Sequence, residues 1–168
     1  MFKVVSTLGL LGVALAWAAA GAGAQDDAVT LNVVKYDGLK QEVLRHRGKV
    51  VVVDFWADFC VPCKKNMPHL VDLSRKLGGK DLAVITVAID SLSDNPEVKD
   101  SLLKFLKKVN ANFTNLLLDE PPSLFEQKLH FKSVPTVFVF DRRGQWVQFT
   151  DEVDPHKVED LVVSMLKE

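Results

Sequence analysis

The sequence predicts an α/β fold, a central mixed sheet flanked by helices on both faces. Three observations carry this reading. Apolar runs of strand length alternate along the chain with segments of helical periodicity. The run Val50-Val51-Val52-Val53 is β-branched and continuous, as in a strand buried on both faces. Near the C-terminus a hairpin-length turn, Asp141-Arg142-Arg143-Gly144, joins two strands, and a last helix follows.

In chain order, a first helix is expected from about Asp37 to His46, and the clearest strand from Lys49 to Trp56. The helix Val61 to Leu77 places Met67, Leu70, Val71, Leu73 and Leu77 largely on one side. Leu82 to Ile89 is a second strand, rich in Val and Ile. Glu97 to Val109 spaces Val98, Leu102, Phe105, Leu106 and Val109 by threes and fours, which is helical. A short strand at Asn115 to Leu118 and a helix at Ser123 to His130 come next. The hairpin strands are Thr136 to Phe140 and Trp146 to Thr150. The helix Pro155 to Lys167 closes the chain with an apolar stripe of Val158, Leu161, Val162 and Met165.

The chain has 168 residues, 48% hydrophobic and 26% charged, enough for one domain with a real core. With 21 Lys and Arg against 22 Asp and Glu, it lacks the basic excess of a nucleic-acid binder. Two cysteines are too few for a disulfide-stapled miniprotein or a four-cysteine zinc site.

Residues 1–24 read as a signal peptide. Lys3 supplies a positive start, residues 4–20 are apolar or small, and Ala22-Gly23-Ala24 offers an A-x-A cleavage site. The rival reading is an uncleaved anchor through residues 4–20. Both place the body of the protein in a periplasmic or secreted setting, where disulfides persist. Residues 25–168 form the folded domain. Setting the leader aside removes Lys3 and leaves a net charge of −2, too small to select a partner.

The chemistry is concentrated at Cys60-Val61-Pro62-Cys63. Positions i and i+3 share a helix face, so the two sulfurs can close a disulfide within one turn. The pair follows a buried strand and opens a helix. Cys60 therefore meets unpaired N–H groups and a helix dipole that favour its thiolate. Cys63, one turn inside, is placed to resolve a mixed disulfide. Pro62 suits a first helical turn, where its missing N–H is no loss. A purely structural bridge would save little loop entropy at this spacing. A metal reading lacks a second CxxC or a clustered His. His69 and His130 read as structural or exposed side chains.

The segment Val53-Asp54-Phe55-Trp56-Ala57-Asp58-Phe59-Cys60-Val61-Pro62-Cys63-Lys64 resembles the active-site segment of the thioredoxin superfamily. The leader, the continuation Lys64-Lys65-Asn66-Met67-Pro68 and the long stretch from about Asp90 to Glu120 resemble its secreted TlpA/ResA-like branch. Far along the chain, Ser133-Val134-Pro135-Thr136 resembles the family's cis-proline loop. The resemblance implies a thioredoxin-like fold across the mature chain. It also implies that Val134 and Pro135 bind an extended substrate backbone opposite the disulfide.

Asp54 interrupts a run of valines, and a buried carboxylate is costly unless it stays protonated. By position it resembles the buried Asp of thioredoxins, which implies a proton acceptor for Cys63. Many ResA-like proteins carry a Glu where this chain has Asn66, so Asp54 is expected to act alone. Trp56 resembles the family's active-site tryptophan. Phe59, which replaces the more usual Trp, is expected to touch partners, as are Val61 and Pro62.

The expected function is thiol–disulfide exchange with partner proteins, more as a reductase than as an oxidase or isomerase. Cys60, Cys63 and Asp54 would carry the catalysis. No metal, nucleotide or flavin is implied, because electrons travel through the two sulfurs. A reductase of this kind needs a membrane-embedded thiol donor, and a monomer is favoured. A metallochaperone or folding adaptor on the same scaffold is the alternative outside enzymology.

Overall fold

A computed structural model describes residues 28–92, 95 and 97–168, so the expected leader at 1–24 lies outside the described residues. Six strands and five helices follow in the order β1 (Asn32–Val34), α1 (Tyr36–Arg45), β2 (Val50–Trp56), α2 (Val61–Leu77), β3 (Leu82–Ala88), α3 (Val98–Lys108), β4 (Thr114–Leu118), α4 (Pro122–Leu129), β5 (Thr136–Phe140), β6 (Trp146–Thr150) and α5 (Pro155–Leu166). All five helices and all five expected strands fall within one residue of the bounds read from the sequence. Strand β1 was not anticipated. It has three residues, and its partner β4 lies far along the chain (Asn32 opposite Leu116), so no local pattern announces it.

The strands form one sheet in the order β1-β4-β3-β2-β5-β6. β1, β4, β3 and β2 run parallel, while β5 joins β2 antiparallel and β6 completes the hairpin. β2 is therefore paired along both edges, and all seven of its residues are buried. This is the environment the continuous valine run requires, since neither face meets water.

Strand alternation divides the core between the two faces. Val50, Val52 and Trp56 point to the side covered by Met67, Leu70 and Leu73 of α2, Leu102 and Leu106 of α3, and Val158 and Val162 of α5. Val51, Val53 and Phe55 point to the other side, with Leu39 of α1, Phe125 of α4 and Phe131. The same alternation sends Asp54 to the α2 side, between Val52 and Trp56.

Two polar side chains in this interior, Thr86 and Asn115, are paired. Thr86 donates from its hydroxyl to Asn115 Oδ1 at 2.8 Å, and Asn115 Nδ2 donates to the carbonyls of Ala111 and Phe113. Helix α2 ends at Gly78, whose N–H donates to the Ser74 carbonyl. A Cβ at Gly78 would collide with that same oxygen, so the tight exit demands glycine. Among the described residues, no helix is long and apolar enough to cross a membrane.

Candidate active site

β2 delivers the chain to the site, and α2 carries it away. After Trp56 a short turn is closed by the Cys60 N–H donating to the Ala57 carbonyl at 3.0 Å. Cys60 is the N-cap of α2, with Pro62 in the first turn. Cys60 and Cys63 form a disulfide with a Cα–Cα separation of 5.4 Å. The Cys63 N–H donates to Cys60 Sγ at 3.3 Å. A first-turn amide thus already points at the sulfur that would carry negative charge after reduction.

Around the disulfide, exposure is uneven. Cys60 is 5% exposed and Cys63 1%, whereas Phe59 is 76% and Val61 61% exposed. Pro62 is exposed as well. The sulfurs sit low, with apolar side chains raised on either side of Cys60. The Val134–Pro135 peptide is cis, and Pro135 lines the same cavity as Cys63 and Asp54. Thr136 fixes this loop by donating its hydroxyl to the Ser133 carbonyl at 2.8 Å.

Asp54 is buried, and desolvation pushes its carboxyl pKa up to about 7. It faces a small cavity of about 30 Å³, room for a water molecule, that it shares with Cys63. Asn66 does not reach toward the sulfurs. Its Nδ2 donates to the Val153 carbonyl at 3.0 Å and ties α2 to the segment before α5.

Trp56 is fully buried, packed against Phe105 with ring centroids 5.4 Å apart, and so lies beneath the surface around the disulfide. Alternation along β2 turns it into the core beneath the active-site turn, where it supports that turn from behind.

The structure adds a set of residues that sequence reading missed. Asp90, just beyond β3, accepts the Asp58 N–H with both carboxylate oxygens, at 3.1 and 3.0 Å. The Asp58 carboxylate in turn pairs with Lys64 Nζ at 2.7 Å and accepts from the Ser101 hydroxyl at 3.1 Å. Lys64 lies over the Phe105 ring, 5.3 Å from its centroid. The turn before Cys60 is therefore held to β3 and to α3. Burial raises the Asp90 pKa, and the Asp58 amide offsets part of that rise. The only sequence signal was an acidic residue directly after a strand, which does not name its partner. Among the described residues, no group of three or more His, Cys, Asp or Glu is placed to hold a metal ion.

With this geometry in view, comparisons with known proteins are informative. A family model described as thioredoxin-like matches residues 48–146. The thiol-disulfide oxidoreductase ResA of Bacillus thuringiensis subsp. konkukian is 28% identical over 122 residues, 73% of this chain and 66% of its own length. The sporulation thiol-disulfide oxidoreductase A of Bacillus subtilis is 23% identical over 123 residues, covering 73% of this chain and 67% of that protein. The chain thus spans about two thirds of the curated relatives it matches. Among solved structures, a Chlorobium tepidum protein assigned as the thiol:disulfide interchange protein DsbE superposes with a TM-score of 0.61 at 28% identity. That match covers 74% of this chain and 84% of the other. A thiol-disulfide isomerase from Corynebacterium glutamicum, 22% identical, shares the fold with a TM-score of 0.64, over 84% of this chain and 96% of the other.

Proposed function

The chain belongs to the thioredoxin-like family, and we propose that it is a thiol–disulfide oxidoreductase that works outside the cytoplasm as a reductase of protein disulfides. One observation carries this reading: the Cys60–Cys63 disulfide caps α2 between exposed apolar flanks, with a buried carboxyl at its back. The names of the similar Bacillus and Chlorobium proteins agree with it. The expected leader at residues 1–24 supports the location, and an oxidising compartment calls for a membrane thiol donor to recharge the pair.

In this mechanism the Cys60 thiolate attacks a partner disulfide and forms a mixed disulfide, releasing one partner thiolate. Asp54 takes the proton of Cys63. The Cys63 thiolate then attacks Cys60 Sγ, the internal disulfide forms, and the second partner sulfur leaves as a thiolate. The Cys63 N–H and the start of α2 stabilise Cys60 as attacking group in the first step and as leaving group in the reverse reaction. The redox-active disulfide is the only cofactor the chemistry needs. Phe59, Val61, Val134 and Pro135 form the contact surface for the partner segment.

The test is the potential of the Cys60–Cys63 couple, measured by equilibration of the protein with defined thiol buffers. A value around −250 mV or lower is expected for a reductase. A value near roughly −120 mV would mark an oxidant and reverse the proposed direction. A pair that does not cycle at all would remove the oxidoreductase reading.

A further inference from the structure

Each turnover of the proposed mechanism moves a proton on and off an almost fully buried carboxyl. A small open cavity faces Asp54. Asp54 and Cys63, both buried, line it together with Asn66 and Glu159, which are half-buried, and His69, which is exposed. One continuous space therefore runs from the reacting thiol to solvent, between α2 and α5.

We propose that His69 is the proton-relay residue of this site, passing the Asp54 proton through the cavity to solvent. The proposal rests on the thiol–disulfide reading and adds a residue to it. Two other polar side chains at the opening, and one beside it, are poorly suited to the task. Asn66 carries no exchangeable charge, and its amide is committed to Val153. Glu159 lies toward Lys76, 3.9 Å from its ammonium. His156 stacks edge-on against His69, with centroids 5.7 Å apart, but does not line the cavity. Imidazole is the side chain that most readily trades protons near neutrality. The high pKa of Asp54 makes its proton available in the same range.

The step balances as follows. The Cys63 thiol gives its proton to the Asp54 carboxylate, and the thiolate forms the bond to Cys60 Sγ as the bond from Cys60 to the partner breaks. The neutral Asp54 carboxyl then gives the proton, through a water in the cavity, to a ring nitrogen of His69. His69 releases it to buffer, and the partner thiolate takes a proton from solvent. No electrons pass through His69. A relay changes rates and leaves the equilibrium between the sulfurs untouched.

The experiment uses the mixed disulfide between Cys60 and glutathione, formed at acid pH and jumped to pH 7 in dilute buffer. After the jump Asp54 starts protonated, so its proton must leave through the cavity before the carboxylate can accept that of Cys63. Resolution is followed by quenching and counting released glutathione. His69→Gln is expected to slow resolution about 5- to 20-fold. Added imidazole should restore the rate, and the equilibrium potential should be unchanged. His156→Gln should resolve at the parent rate. A His69→Gln protein as fast as the parent would overturn the relay, as would a slow one that imidazole does not rescue. The relay would also fall if Glu159→Gln showed the slow, rescued behaviour instead. If the parent itself fails to resolve the mixed disulfide, it is the oxidoreductase reading that fails, which keeps the two apart.

Discussion

Two buried carboxylates flank the disulfide, and they live under opposite conditions. Asp90, on the side of the active-site turn, receives the Asp58 N–H on both oxygens. Asp54, on the cavity side, receives no hydrogen bond to its carboxyl from the described residues, and desolvation is the cause of its shift. Burial pushes both toward the protonated form, but for Asp90 a backbone amide opposes it. Hydrogen-bond supply, together with depth, separates a carboxylate that holds a loop from one poised to exchange a proton.

The largest expected contrast is in stability. The folded protein holds the Asp54 proton up to about pH 7, whereas the unfolded chain releases it near 3.8. Unfolding therefore releases a proton throughout that window, and stability falls as pH rises across it. Asp54→Asn should remove this slope and gain up to ~4 kcal/mol above pH 7, with no gain below about pH 4. Denaturant midpoints measured from pH 4 to 8 check it. A parent whose midpoint does not fall across that range would place Asp54 in a wetter site.

Next comes kinetics. Asp54→Asn should slow resolution of the mixed disulfide about 100-fold, while Asp90→Asn should change it less than about 3-fold. Equal effects in the two variants would dissolve the distinction. Smaller again is the structural role of Asp90. Asp90→Ala leaves the Asp58 amide without its partner and should lower stability by about 2 kcal/mol at pH 7, read from the same denaturant curves. The opposite signs of the Asp54 and Asp90 variants sharpen the comparison. The smallest effect concerns the rim. Phe59→Ser should slow reaction with a disulfide-bonded protein about 3-fold and leave reaction with oxidised glutathione unchanged, because only the larger substrate reaches over that ring.

Much of this was legible in the sequence because the signals are local. The valine run, the periodicity of α2 and the CxxC at its start each sit within a few residues of one another. Asp54 stood out because a carboxylate among valines violates the pattern around it. What escaped was nonlocal. β1 is defined by a partner far along the chain, and the clamp on Asp58 joins residues from three separate elements. Trp56 shows a subtler limit. Its identity suggests a surface role, whereas its place in the alternation of β2 sends it inward with Val52.

The position of Asp54 within the sheet has a dynamic consequence. Its neighbours across the ladder are Thr86 on β3 and Val137 on β5, so its backbone is bonded along both edges of the strand. Amide protons there should exchange with deuterated solvent only when the whole domain opens, whereas that of the exposed Phe59, a few residues away, should exchange through local fluctuation. The proton acceptor is thus mounted on the slowest-opening part of the molecule and the sulfur that meets the partner on a faster one. A partner can displace the rim without disturbing the base behind it.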